Sequence, residues 1–537
     1  MDQNKSLQNL KISFCALVLL LAVYQFSENT ADPDLWGHVI FGQEMLQSHG
    51  IPKAEMYSWT AVGQPWINHE SIAEISLGGV HKLWGGSGLL LLKMVMGLLT
   101  FWFALRMAVA NISWPARFIA WGFGALAVVE ISYGFPARPQ IFTGLCLIVE
   151  LVLLRQIHNG SRLWALALPA LFAFWINTHG GALAGYGLLG LAAGMTTLQF
   201  LYGKYRGKGL ASDSVEATNI GTAITLWLSV VSVTAALFCN PWGGELLSWL
   251  IGSVLWLRPE IEEWNPTPLG WDHAALFILV GLTAFAWACT RRKRSWWELA
   301  VCAAFALLAL RSVRNAPLFG IVALALVPAH LVDALSRFRQ HFQRWEILGG
   351  QASFQKFATI CLSVISFGIG VATFTLHKEH PLTMEVPRSH YPTAAVDFLR
   401  ENEMGGKMLV FFDWGEEVIF HLPNCLPSID GRLDTCYSRE LIAAHWKLYN
   451  AQPVDPKVLD INQADIALLP SYLAGAKALR DHSGWKVIYL DSTAVILVRN
   501  IPHFPKLLSL QLPVEGAKSA ALGRAAFADL SPRWTKK

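Results

Sequence analysis

The sequence predicts an α-helical polytopic membrane protein of about 11 spans with a C-terminal extracytoplasmic α/β domain. Three observations predict it. Of 537 residues, 53% are hydrophobic and only 15% charged, with a mean hydropathy of +0.39; a soluble domain carries about 25% charged residues. Apolar runs approaching the roughly 20 residues of one bilayer crossing recur along the first 376 positions. Near His377 the pattern changes to short β-branched runs between turn residues, which is how strands read.

The runs are, in order, 12–27, 87–109, 114–134, 140–155, 162–178, 181–202, 220–239, 272–290, 296–312, 315–332 and 356–376. The first, after Lys5 and Lys11, fits either a span or a cleaved signal sequence. Both leave residues 28–86 outside the cytoplasm. Basic residues set the orientation: Arg117; Arg155 and Arg162; Lys204, Arg206 and Lys208; "RRKR" at 291–294; and Arg337, Arg339, Arg344 and Lys356 fall in alternate loops. That is the positive-inside pattern, and it puts residues 377–537 outside as well. Within that part, "YPTAAVDFLREN" reads as an amphipathic helix. "KMLVFF", "ADIALLP", "WKVIYL" and "TAVILVR" read as strands of a domain over 377–500. The tail 501–537 has weak periodicity and is expected as a loose extension.

The 23 tryptophans suit membrane interfaces. A net charge of +4 is too slight to argue for a nucleic-acid partner. Six of the eight cysteines sit in apolar segments as small core residues. Cys425 and Cys436 lie in the polar C-terminal region, where a disulfide and two free thiols both remain open.

Unusual sequence gathers in the outer loops: "DPDLWGH", "GQPWINHES", "FPARPQ", "NTHGG", "CNPWGGE" through "EEWNP", and "RSVRNAP". Chemistry is therefore expected on the outer face. Asp32 and Asp34 flank Pro33 where the first apolar run ends. A bland reading makes them a solvated helix end or a cap. Against it, the proline makes the turn rigid. The following "LWGHVIFGQEMLQSHG" has the period of a helix suited to the membrane interface, and a second polar set follows at Asn68, His69 and Glu70.

An acidic pair opening the first outer loop resembles the GT-C superfamily of membrane glycosyltransferases. The longer pattern, "DPDLWGH…GIPKAEMYSWTAVGQPWINHE", "RPQIFT", "WINTHGG", "NPWGG", "SVRNAPLF", "YPTAAVDFL" and "DWGEEVIF…IDGRLD", is similar to bacterial multi-span proteins of GT-C type with mostly unassigned roles. The resemblance implies a GT-C-like transmembrane domain over 1–376, with its catalytic loop at 28–86, in a bacterial inner membrane. It implies an enzyme moving sugar from a polyprenyl-phosphate donor to a glycan, lipid or protein acceptor.

On that reading one of the paired acids deprotonates the acceptor. Asp32, nearest the membrane edge, takes this role, with Asp34 as metal ligand or orienting partner; an apolar surface beside a carboxylate makes it a better proton acceptor. Phosphate needs cations, and Arg138, Arg311 and Arg314 are the exceptional outward-facing arginines at helix ends. Snorkelling to headgroups, or pairing with Glu130 or Glu260, is the bland alternative. His38, His69 and His179 with Asp34 and Glu70 could form a divalent site whose oxygen ligands favour magnesium or manganese. No two of these histidines have the i, i+4 spacing of a helix-borne site, and hydrogen-bonded histidines at helix ends remain the alternative. Asn177 and His179 top a glycine-rich run suited to close helix packing. Trp36, Trp66, Trp242 and Trp264 are interface anchors or sugar platforms. "DWGEE" and "IDGRLD" read as strand-to-turn segments, with Asp430-Gly431 a turn; contact with the acceptor stays open for both, and neither ranks as catalytic.

Two other classes compete. A transporter or flippase would place charges near the bilayer midplane and show matching halves; Glu150 fits that reading, the one-sided motifs do not. A non-catalytic scaffold for envelope glycan assembly would have no use for acids and arginines at helix ends.

Overall fold

The computed structural model describes residues 2–206, 218–255, 261–337, 351–375, 379–516 and 523–527. Lys208, Glu260, Arg339 and Arg344 lie outside the described residues. The chain forms two compact units: Met1–Glu28 with Leu92–Leu376, and Asn29–Leu91 with His377–Lys537. The boundary expected at 376 is thus only half of the division. The first outer loop folds with the C-terminal residues.

The helical unit contains α1 (Asp2–Phe26), the C-terminal part of α3 (Ser71–Val109), α4 (Arg117–Tyr133), α5 (Gln140–His158), α6 (Ala167–Trp175), α7 (Ala182–Arg206), α8 (Ile220–Leu237) and α9 (Gly244–Leu255). It continues with α10 (Ala274–Cys289), α11 (Trp296–Arg311), α12 (Ala316–Leu326), α13 (Pro328–Ser336) and the helix Ala352–Thr375. Every predicted run is helical, but the count of about 11 spans is corrected. Among the described residues, six helices are long and apolar enough to cross a membrane, or seven if Val313–Leu326 and Pro328–Ser336 form one span bent by 57°. Length excludes several of the others. At 1.5 Å per residue, the 17 residues of α4 and 16 of α11 fall short of a core about 30 Å thick. Pro328 ends α12 because it brings no N–H to the ladder. Helix α12 is the buried centre of this unit, with Phe319, Ile321, Val322 and Leu324 all at 0% exposure.

The second unit is built on a six-stranded mixed sheet, β3-β2-β4-β6-β5-β7. Its strands are β2 (Gly406–Val410), β3 (Cys425–Pro427), β4 (Ile466–Pro470), β5 (Lys486–Leu490), β6 (Ala494–Val498) and β7 (Val514–Glu515). The four runs read as strands from sequence are β2, β4, β5 and β6, and β4 and β6 are buried throughout. The tail is more than a loose extension. It supplies β7 to this sheet and β8 (Arg524–Ala526), which pairs with β1 (Glu385–Pro387). "DWGEE" opens the helix Gly415–His421 instead of a turn. Cys425 and Cys436 are both buried, and Cys425 Sγ donates to the Met404 carbonyl at 3.5 Å.

Helix α2 (Leu35–Ser48) is buried along most of its length, not laid on an interface. Two glycines explain this. A Cβ on Gly42 would come 1.8 Å from the Glu74 carbonyl oxygen, and one on Gly78 2.6 Å from the Gln43 nitrogen. So α2 and the first turns of α3 pack backbone against backbone. The segment after α2 is stitched to the sheet domain: Trp59 N–H donates to the Pro427 carbonyl at 3.2 Å, Thr60 Oγ1 to Ser428 at 2.6 Å, and Ile67 N–H to Thr435 at 3.0 Å. At the other end Ala31 N–H donates to Glu385 at 2.6 Å, and Tyr391 OH to the Ala31 carbonyl at 2.9 Å.

Candidate functional site

Asp32 and Asp34 sit in the turn that opens α2. Asp32 Oδ1 accepts from Asp34 N–H at 3.0 Å, and the Asp32 carbonyl accepts from Leu35 N–H at 3.0 Å. With Pro33 between them, both carboxylates leave a fixed loop. Helix geometry then brings His38 one turn on, its N–H donating to the Asp34 carbonyl at 3.0 Å. His38 Nδ1 lies 3.3 Å from Glu74 Oε1, and Glu74 Oε2 accepts from Asn68 Nδ2 at 2.6 Å. Ligand atoms of His38, Glu70 and Glu74 all lie within 4.8 Å of one another. One imidazole and two carboxylates suit a divalent cation. Burial works against a charge on His38, but the hydrogen bond to Glu74 and the charges of Glu70, Glu74 and Asp34 outweigh it and raise its pKa. A proton on His38 and a metal ion are alternative occupants of this cluster. His69 Nε2 is 3.6 Å from Glu70 Oε1.

The C-terminal domain supplies the other wall. Glu416 is 2% exposed, and its Oε2 accepts from Gly37 N–H at 3.0 Å. A Cβ on Gly431 would stand 2.2 Å from Asp34 Oδ1 and 2.9 Å from Glu416 Oε1, so only a glycine admits both carboxyl groups. Burial, then the charges of Asp34 and Asp430, hold the Glu416 carboxyl well above the usual range. Arg432 opposes this and Glu74 adds to it. Behind this wall Arg432 donates to Asp430 at 2.8 and 2.7 Å and to Glu55. Its guanidinium stacks 4.7–5.0 Å from the Trp66, Phe41 and Tyr57 rings.

One helical position from Glu416, Glu417 is fully buried with neither carboxylate oxygen hydrogen-bonded. Burial, aided by Asp397, pushes it up to about 8. The unfolded chain ionises this group near 4.3. From that pH up to about 8 the folded state binds more protons, so stability falls as pH rises. Glu417→Gln is expected to flatten the thermal-stability profile, removing about 3 kcal/mol of decline between pH 5 and 7.5. A variant profile parallel to the wild type would refute this.

The arginines belong to the helical unit. Arg138 Nη1 and Arg314 Nη1 lie 3.7 and 3.8 Å from the two oxygens of Glu263, and the Arg314 guanidinium covers the Trp264 ring at 5.2 Å. Arg314 Nη2 is 3.5 Å from His179 Nε2. His179 Nδ1 meets Thr143 Oγ1 at 2.8 Å, and Trp175 Nε1–H donates to the same oxygen at 2.9 Å. Arg138, Arg314 and His179 are therefore brought together. Arg311, exposed on the last turn of α11, takes no part in these ion pairs. Asn177 spends its amide on the carbonyls of Ala173 at 2.8 Å and Cys239 at 2.7 Å.

The reading of Trp36 and Trp66 as sugar platforms is corrected. They are 0% and 2% exposed, packed against Tyr391 and Phe527, and against Phe41 and Tyr57. Sequence reasoning missed Glu74, Glu416, Glu263, Thr143 and Trp175, and underrated Asp430 and Arg432. The available signal was glycine beside acid or histidine in "LWGH", "DGR" and "THGG".

The fold resembles that of solved archaeal oligosaccharyltransferases. No protein-family model matches the chain. No curated protein matches it in sequence. Among solved structures, the archaeal oligosaccharyltransferase AglB from Archaeoglobus fulgidus, in complex with an inhibitory peptide and a dolichol-phosphate, aligns with a TM-score of 0.54. Identity is 10%, over 94% of this chain and 75% of that one. The Archaeoglobus fulgidus oligosaccharyltransferase tethered to an acceptor peptide with the NVT sequon gives 0.53 at 11% identity, over 93% and 74%. ArnT from Cupriavidus metallidurans bound to undecaprenyl phosphate gives 0.47 at 14%, over 91% and 98%. At these identities the likeness is one of fold.

Proposed function

We propose that this chain is an integral membrane glycosyltransferase that moves a sugar from a polyprenyl-phosphate-linked donor to a glycan, lipid or protein acceptor on the outer face of the membrane. One observation carries the reading: a rigid Asp-Pro-Asp turn walled by His38, Glu70, Glu74 and Glu416, in a chain with a GT-C-like fold. The oligosaccharyltransferase of similar fold has been solved with dolichol-phosphate and with peptides, which supports the same donor and acceptor classes here.

Asp32 takes the proton of the acceptor hydroxyl as its oxygen bonds to the anomeric carbon. The bond from that carbon to the phosphate oxygen breaks, and the electron pair leaves with the polyprenyl phosphate. Arg138, Arg314 and His179, in the helical unit, are the groups suited to binding a phosphate through charge-assisted hydrogen bonds. A divalent cation on His38, Glu70 and Glu74 would add positive charge for the anionic substrate. Asp34 orients the turn.

The test is transfer of labelled sugar from a synthetic polyprenyl-phosphate donor by the purified full-length protein. The expected products are glycosylated acceptor and free polyprenyl phosphate. Transport remains a second reading, favoured by Glu150, buried in α5 with neither oxygen hydrogen-bonded. Uptake of cargo into sealed vesicles with no glycosidic product would select it.

A further inference from the structure

The wall that the C-terminal domain gives to the acidic site leaves from two strand ends. β2 leads through Phe411 to Glu416, and β3 leads through Ser428 to Asp430 and Gly431. The strands run parallel, so both segments depart from the same end of the sheet. The helix Arg439–Tyr449 ties these ends together. Val410 closes β2; its carbonyl accepts from Tyr449 OH at 2.8 Å, and its N–H donates to Ser428 Oγ at 3.3 Å. Ser428 Oγ in turn lies 2.9 Å from His445 Nε2.

The hydrogens in this chain of bonds are fixed. His445 Nδ1 lies 2.9 Å from the Leu441 carbonyl, which can only accept, so Nδ1 carries a hydrogen. In the neutral ring Nε2 is then bare and accepts from the Ser428 hydroxyl. His445 and Ser428 are both wholly buried. Among the described residues no carboxylate pairs with the imidazole. Asp413 acts on Tyr449 instead, and Asp430, two residues beyond Ser428, is paired with Arg432. Glu440 and Lys447, on the same helix as His445, are exposed.

A second proton on His445 would make a buried cation without a counter-charge, and would turn Nε2 from an acceptor into a donor facing the Ser428 hydroxyl. Burial accordingly pulls the imidazole down to about 4, against the hydrogen bond to Leu441. In water the ring titrates near 6.5. An opened form therefore takes up a proton below about 6.5 that the closed form refuses until about 4. Stability of the closed form is full above 6.5 and is lost as pH falls toward 4.

The geometry points to His445, with Ser428 and Tyr449, as positioning residues: an acid-sensitive clamp that fixes the strand ends leading to Glu416 and Gly431 and opens when the imidazole takes a second proton. The wall's part in catalysis rests on the glycosyl-transfer reading; the clamp does not.

Amide hydrogen exchange of the full-length protein in nanodiscs, read by mass spectrometry and corrected for the intrinsic effect of pH, follows segments 411–416 and 428–432. Between pH 7.5 and 5, exchange of both should rise about 30-fold in the wild type relative to His445→Gln, which offers Ser428 an acceptor but cannot titrate. Taking the ratio of the two proteins at each pH cancels Glu417, which titrates with the opposite sign. A ratio constant over this range overturns the inference. Tyr449→Phe should speed exchange of 411–416 about fivefold at every pH; wild-type protection in that variant overturns it as well. Where His445→Gln does not fold, exchange at the imidazole Cε1–H of the wild-type protein reports His445 itself. Its midpoint is expected at about 4, and one near the ordinary 6.5 sinks the clamp. A failed sugar-transfer assay beside the expected exchange pattern would defeat the enzyme reading alone.

Discussion

Asp32→Asn is expected to lower sugar transfer by about two to four orders of magnitude while the protein folds and inserts as before, the usual size of a lost general base. The substitution separates chemistry from structure cleanly. Asn keeps an oxygen at the position of Asp32 Oδ1, so it still accepts from Asp34 N–H, the 3.0 Å bond that shapes the turn. What it loses is the capacity to take a proton. Initial rates with labelled donor, beside a thermal unfolding curve, measure both sides. Transfer at wild-type rate would remove Asp32 from the mechanism and turn attention to Asp34. A parallel fall in unfolding temperature would mean the carboxylate's role is to brace the loop.

Arg432→Met is expected to destabilise the sheet-containing unit by at least about 3–5 kcal/mol, the cost of stranding a buried charge. That should lower its unfolding temperature by about 10 °C. Methionine fills the space between the Phe41, Tyr57 and Trp66 rings well enough, so packing is not the main loss. The loss is electrostatic. Asp430 and Glu55 have side chains at 0% exposure, and Arg432 is the cation that faces both. Without it they must bind protons or remain as buried anions. Stability of the variant should therefore recover as pH falls. Adding Asp430→Asn and Glu55→Gln should return much of it at neutral pH. A single variant as stable as the wild type at pH 8 would contradict this account.

Composition and periodicity were enough to locate every helix that replaced a predicted run, because lipid and protein interiors select the same apolar side chains. They were not enough to count spans. A 16-residue apolar helix such as α11 and a true crossing differ in length, not in pattern. Helix α2 shows the complementary difficulty. Apolar residues with an indole look alike whether a membrane or a protein domain covers them, and here a domain does. In the acidic site the rigid turn was legible because Asp-Pro-Asp is local. Glu416 and Asp430 were not, since they reach Asp34 from almost 400 positions away and carry no periodic signature. Glycine was the one trace they left, at Gly37 and Gly431, where any side chain would collide with a carboxylate.

The pairing of β1 with β8 has a consequence for biosynthesis. Thr30 bridges to Glu385, and Glu385 is in turn aligned with Ala526 and bound to Arg524 at 3.0 Å. The segment leading into the acidic turn therefore lacks this neighbour until residues 524–526 have been synthesised. A nascent chain halted just before them would already hold its apolar helices without the strand that pairs with β1.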